Sequence, residues 1–187
     1  PGHLFGTDDL GRDILSRIIY GSRISMIVAV GATIVGAIIG VLIGLTAGYF
    51  GGWIDAVLMR IMDGMFSFPF ILLAMILITV LGNGVMNVIL AIGIASVPGF
   101  ARVTRGQVLI VKEEEYCNAC RVVGVSPVRL LFLHILPNCV SQIIVYATLR
   151  IASAIISEAS LSFLGLGIAL PLSLIHISEP TRQAEIS

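Results

Sequence analysis

The sequence predicts an all-α integral membrane protein, a polytopic helical bundle with about four transmembrane helices. Two observations carry this. Apolar residues fill 57% of the 187 positions and charged residues only 12%, far from the mix of a soluble domain. Those apolar residues fall in uncharged runs long enough to cross a hydrocarbon core of about 30 Å. The formal net charge is zero, so the charge balance gives no argument for nucleic acid as a partner. Membrane lipid is the expected surrounding.

The first run extends from Ile24 to Gly48. Within it Gly36, Gly40 and Gly44 recur at every fourth residue, which lines small residues along one helical face where a neighbouring helix can approach closely. These are the expected helix-packing positions. From Gly64 to Ala101 no charged residue occurs. That is too long for one span, and the Gly-Asn-Gly at 82–84 supplies a turn. Two helices are expected, Asp63 to Leu81 and Val85 to Ala101, with Pro69 and Pro98 kinking them or marking their ends. The last span lies within Asn138 to Ile168 and contains Arg150 and Glu158. Charges at membrane depth are costly, so each faces a bundle interior, partner or cavity, or else snorkels to the interface. The sequence leaves both readings open and pairs neither residue.

Lysines and arginines set the orientation. Four crossings put Arg12, Arg17 and Arg23 on one side and Arg60, Arg102, Arg105, Lys112, Arg121 and Arg129 on the other, so the second side is cytoplasmic. It carries the longest polar-faced segment, KEEEYCNACRVVGVSPVRLLFLHILPN, Lys112 to Asn138. Glu113, Glu114 and Glu115 suit a first helical turn, and this helix runs to about Val123 with Gly124 as its left-handed stop. Ser126 then reads as an N-cap and Pro127 as the first residue of a second helix, ending near Leu136 because Pro137 cannot continue it cleanly. That second helix is apolar round most of its circumference, so it must dock on protein or lie on the membrane interface. Ala119 and Cys120 leave room on the first helix for a partner. The functional reading is a rigid protruding element that inserts into another protein; the bland one is a loop resting on its own bundle.

Chemistry-bearing residues are sparse. Cys117 and Cys120 form a C-x-x-C, with Cys139 the third cysteine, but no second pair completes a zinc site. They read as ordinary small residues on one helical face. His3, His134 and His176 are scattered, and no metal or nucleophile constellation appears. Lys112 is the only lysine, and no G-x-x-x-x-G-K-[ST] phosphate loop surrounds it. An enzyme is therefore not expected, nor a cofactor bound by this chain. Asp8, Asp9 and Asp13 sit among Arg12 and Arg17, which favours a capped, salt-bridged loop over a cation site.

The 112–138 segment resembles the cytoplasmic EAA loop of ATP-binding-cassette importer permeases, whose pattern is E-A-A, three residues, G, then a later I-x-L-P. Asn118, Ala119 and Cys120 take the E-A-A positions, Gly124 the glycine, and Leu136 and Pro137 the L-P. The stretches FGTDDLGRDILSRIIYGSRIS, AGYFGGWIDAVLMRIMD and EASLSFLGLGI are similar to the dipeptide, oligopeptide and nickel branch of that family. The likeness covers about residues 3–169 in order. Three positions depart from it: Asn118 replaces the usual glutamate, Cys120 the second alanine, and His134 stands at the general pattern's isoleucine.

The resemblance implies a type I importer permease of a bacterial or archaeal plasma membrane, forming the path for peptides or nickel. It implies a coupling loop within 102–138, carried by Asn118, Ala119, Cys120, Gly124, Ser126, Pro127, His134, Leu136 and Pro137. Its partners would be cytoplasmic ATPase subunits holding ATP and Mg, a second homologous permease subunit and an extracytoplasmic substrate-binding protein. The alternative is a secondary transporter or channel not driven by ATP, which predicts more intramembrane ionisable residues or discontinuous helices. The permease domain is expected over 1–171. Residues 172–187 are expected to be foreign, because SLIHISEPTRQAEIS resembles a translated sequencing-adapter oligonucleotide. With the abrupt start, this leads to the expectation that the first and last transmembrane helices of such a permease are missing.

Overall fold

A single helix, α1, occupies Ile14–Phe50, and its glycine face decides how the rest packs. The computed structural model describes residues 14–82 and 84–165; the expectations for the acidic opening and for the 172–187 tail lie outside the described residues. All the regular structure among the described residues is helical: α2 (Gly52–Phe66), α3 (Phe70–Leu81), α4 (Val85–Val111), α5 (Glu115–Val122), α6 (Pro127–Leu130), a π-helical turn at Leu131–Ile135, and α7 (Leu136–Phe163).

Helix α1 lies along α4, and α7 packs against both. The seam is set by the spaced glycines. A Cβ on Gly40 would stand 2.5 Å from the Cβ of Phe100, one on Gly44 2.5 Å from the Ala101 carbonyl oxygen, and one on Gly36 2.9 Å from the Gly93 carbonyl. Gly48 continues the row against Val108. In lipid no hydrophobic force drives helices together, so close contact between small residues does most of the work. Farther along α4, Gly99 lies under the Tyr146 hydroxyl of α7, and Tyr146 meets Phe100 edge to face, with ring centres 4.9 Å apart.

The core divides along the bundle. Val28, Ala32, Ile78, Ile92, Ala154 and Leu161 join α1, α3, α4 and α7 toward one end. Leu45, Val108, Cys117, Leu130, Ile135 and Cys139 form a second cluster at the other, basic end. Among the described residues, three helices are long and apolar enough to cross a membrane, or up to four spans if the bent α2–α3 pair is one.

Three expected boundaries change. The helix expected over Asp63–Leu81 breaks: α2 and α3 meet at 92°. Proline at 69 disfavours helical geometry at Phe68, while the Ser67 amide and hydroxyl turn back to the carbonyls of Asp63 and Gly64. Helix α4, expected to end at Ala101, runs ten residues further, to Val111, so the first ten residues assigned to the loop from residue 102 continue α4. Its inner side, Thr104 and Val108, is covered by the glycine end of α1, and its arginines are met by α2. Arg105 makes a two-pronged ion pair with Asp55, and Arg102 pairs with Asp63 while stacking 4.2 Å over Phe66. Finally, Pro137 does not end the second loop helix. The π turn shifts the bonding register just before it, and Pro137 falls in the first turn of α7, where a missing amide costs least.

Replacing Gly40 by Leu should destabilise the bundle by about 1–3 kcal/mol, as overpacking does. Gly21→Leu, where an added Cβ meets nothing within 4 Å, should change little. Thermal unfolding in detergent checks this, and equal midpoints for the two variants would refute the seam. Asp55→Asn should cost about 1–2 kcal/mol for a part-exposed, charge-assisted pair. The Asp55→Arg/Arg105→Asp exchange should recover part of that loss; no recovery would mean the pair does not hold α2.

Candidate functional site

The turn Lys112–Glu114 hangs α5 from the end of α4. The amides of Glu113 and Glu114 still bond back to Ile110 and Val111, at 3.2 Å each, and the Lys112 ammonium reaches the Gly48 carbonyl of α1 at 3.0 Å. Helix α5 then runs for eight residues, too short to hold itself in water. Its fixing comes from one buried face. Cys117 is fully buried, Cys120 half-buried, and both join the cluster of Leu45, Val108 and Leu130. Two further ties flank that face. Arg121 lies over the Tyr49 ring, and the Tyr116 phenol accepts a bond from Asn138 Nδ2 of α7 at 3.1 Å. Desolvation, with Cys117 beside it, pushes the Tyr116 phenol up to about 12.

Gly124 ends α5 with φ +84°. The Val125 amide bonds to the Cys120 carbonyl at 3.0 Å and the Gly124 amide to that of Arg121 at 3.1 Å, which is the Schellman pairing, with Val125 and Cys120 touching the same apolar cluster. Ser126 has extended backbone and Pro127 opens α6, but the Ser126 side chain makes no capping bond. Only its carbonyl is used, by the Leu130 amide.

The apolar second helix has two fates. Leu130, Leu131 and Ile135 are buried on the chain's own bundle, while Val128, Phe132 and Leu133 remain exposed. Its need for cover is therefore met half internally, on its own bundle, and half left open. The expectation for Cys120 is corrected: it faces inward, so of the two small residues only Ala119 is exposed. His134 and Leu136 are half-buried and Pro137 exposed; the His134 carbonyl accepts from Asn138 Nδ2 at 2.7 Å.

The outward stripe of α5 is Glu115, Asn118, Ala119 and Val122, at helical spacings of three and four. Asn118 accepts a bond from Arg121 at 3.1 Å. The tip carries two valines missed in the sequence reading: Val122 is 88% exposed and Val123 82%. Their signal was present, an apolar pair just before the stopping glycine on the face already singled out. Both stand bare at the end of a helix whose other face is packed.

Arg150 and Glu158 do not meet each other. Glu158 is buried and accepts from Ser25 at 2.8 Å, beside a cavity of about 420 Å³ formed with Gly21, Ile24 and Ser162. Arg150 turns toward α3 and α4, donating to Ser96 at 3.2 Å. Among the described residues no group of three or more His, Cys, Asp or Glu side chains is placed to hold a metal.

A Cβ at Gly124 would meet nothing within 4 Å, so any cost there is conformational. Gly124→Val should fray α5 at a cost of about 1–2 kcal/mol, while Gly124→Asn, which tolerates this geometry, should lose much less. Hydrogen exchange of the 119–125 amides checks the order, and equal protection in both variants would count against the cap.

The family of binding-protein-dependent transport system inner membrane components matches residues 40–183. That range takes in most of the segment expected to be foreign, so it lends no support to that expectation. The glutathione transport system permease protein GsiD of Escherichia coli O6:K15:H31 and that of Shigella boydii serotype 4 are each 51% identical over 169 residues. The protein of that name from Shigella flexneri serotype 5b is 53% identical over the same length. Each alignment covers 90% of this chain and 56% of the relative, so the chain spans little more than half their length. With its long apolar helices and its glycine-capped loop, the chain belongs to the family of binding-protein-dependent transport system inner membrane components.

Proposed function

We propose that this chain is a permease subunit of an ATP-binding-cassette importer, forming part of the substrate path and receiving mechanical work through α5. One observation carries the reading: α5 presents an outward stripe ending in two bare valines while its inner face is fastened to α1, α4 and α7. A partner that gripped the stripe would pull on three bundle helices at once, as a two-state lever requires. The partner is a separate cytoplasmic ATPase holding ATP and Mg. The remaining partners are a second homologous permease and an extracytoplasmic substrate-binding protein. Family membership favours this over an ATP-independent carrier. The basic end faces the cytosol, following the lysine and arginine count.

Within 102–138 the contact residues are Asn118 and Ala119 on the stripe, with Cys120, Gly124, Ser126 and Pro127 shaping the turn. His134, Leu136 and Pro137 join it to α7. For the substrate, the relatives' names support a small peptide of the glutathione kind, with other short peptides and nickel as the competing cargoes.

The full-length subunit, expressed with its ATPase and binding protein, should carry out ATP-dependent uptake of glutathione or dipeptides into membrane vesicles. Val122→Asp combined with Val123→Asp should reduce both uptake and ATPase co-purification at least tenfold while leaving the unfolding midpoint unchanged. Undiminished co-purification would reject the lever. Asn118→Glu should leave assembly intact or tighten it.

A further inference from the structure

Two cations reach one turn of α1 from either end of α5. Lys112, in the turn before α5, donates to the Gly48 carbonyl at 3.0 Å. Arg121, in the last turn of α5, lies 5.9 Å from the centre of the Tyr49 ring. Gly48 and Tyr49 are neighbours in the last turn of α1. The C-terminal end of a helix carries bare carbonyls and a partial negative charge, which suit a cation. Just beyond, Gly51 and Gly52 both have positive φ, +64° and +52°, so the chain turns away before α2 begins. Arg105 of α4 holds α2 by both oxygens of Asp55, while Lys112 serves α1.

These two contacts do something the glycine row does not. The row ends with Gly48 against Val108, one turn before Lys112, and sets how closely α1 approaches α4 by packing alone. A hydrogen bond is directional, and a cation over a ring face is held within about 6 Å of its centre. Together they fix where the last turn of α1 sits relative to α5. We infer that this turn receives the displacement of α5, with Lys112 and Tyr49 as the positioning residues that pass it on. The inference deepens the importer reading and rests on it, naming where motion of the coupling helix enters the bundle. The glycine pair at 51 and 52 forms a joint across which α1 shifts while α2 stays on α4. Lys112 and Tyr49 are half-buried and lie off the outward stripe of α5, so gripping the ATPase and passing on its motion are separable.

The test uses the complete transporter, with both permeases, ATPase and binding protein, in membrane vesicles. ATP hydrolysis is measured together with uptake of glutathione or a dipeptide, whichever the wild type carries. Lys112→Met combined with Tyr49→Leu should lower uptake per ATP hydrolysed about fivefold, a loss of coupling between linked sites. ATPase co-purification and the unfolding midpoint should stay near wild type. Lys112→Arg with Tyr49→Phe, which keeps a cation and a ring, should keep the wild-type ratio. Uptake and hydrolysis that fall in step, with their ratio unchanged, would overturn the inference. So would lost co-purification, which would make both residues mere supports of the loop, or a conservative pair as uncoupled as the disruptive one. If the disruptive pair fails to fold, each single substitution reads the same ratio, and no shift in either would also overturn it. A wild-type complex without ATP-dependent uptake would instead defeat the importer reading, and the inference with it.

Discussion

The contact of backbone against backbone between α1 and α4 is what the other elements hang from. Lipid surrounds such helices with a solvent as apolar as their side chains, so only tight packing and polar links hold them together. Gly36, Gly40, Gly44 and Gly48 let α1 press directly on the α4 main chain. Because that seam continues past the apolar run, α4 stays helical to Val111. Arg102 and Arg105 are thereby displayed on a rigid support, where they hold the separate helix α2 by two ion pairs. Without the seam neither α2 nor the loop beyond α4 has a fixed foundation.

From that foundation the connection to the loop is short and packed. Lys112 ties the end of α4 to the end of α1, and Cys117, Leu130 and Ile135 share one cluster with Leu45 and Val108. Motion imposed on α5 therefore has no slack to take up before it reaches the bundle, since packed interiors yield little. The places where the structure does interrupt its own regularity lie elsewhere: the break before Pro69, the positive-φ pair Gly51 and Gly52, and the π turn preceding Pro137. Each marks a joint between rigid pieces. Two of them flank α2, and the third lies where the loop becomes α7. A bundle that rocks between two arrangements needs rigid pieces meeting at such joints.

The charges divide into two kinds. At the basic end, arginines meet aspartates in part-exposed pairs whose value is chiefly geometric, fixing α2 on α4. Within the apolar region, Glu158 and Arg150 take hydroxyl partners on different helices, Ser25 and Ser96. A hydroxyl steadies a charge without cancelling it. These two positions therefore differ from the structural pairs in what they leave available, although all lie in one small bundle.

Much of this was legible in the residues taken alone, because it depends on local chemistry. Glycine at every fourth position announced a packing face, Gly124 a left-handed stop, Gly82 to Gly84 a turn, and Pro127 a helix start. These follow from the missing Cβ and the fixed proline φ, which act wherever the residue stands. Pro69 broke its helix as its position announced, but what the chain did with Pro137 and its charged flanks was not legible, because there a neighbour decides. Pro137 failed to end a helix because a π turn absorbed it, whereas Pro69 helped to break one. Arg102 and Arg105 read as loop residues, but the seam with α1 carries α4 past them, where aspartates on α2 meet them. Cys120 and Leu130 turned inward because Leu45 and Val108 offered them cover, and Val122 and Val123 were left outside because nothing did. The sequence by itself determined the membrane class, the packing face and the capped loop. Tertiary contact alone decided where helices end and which apolar surface stays bare, since both depend on what an element meets rather than on what it is.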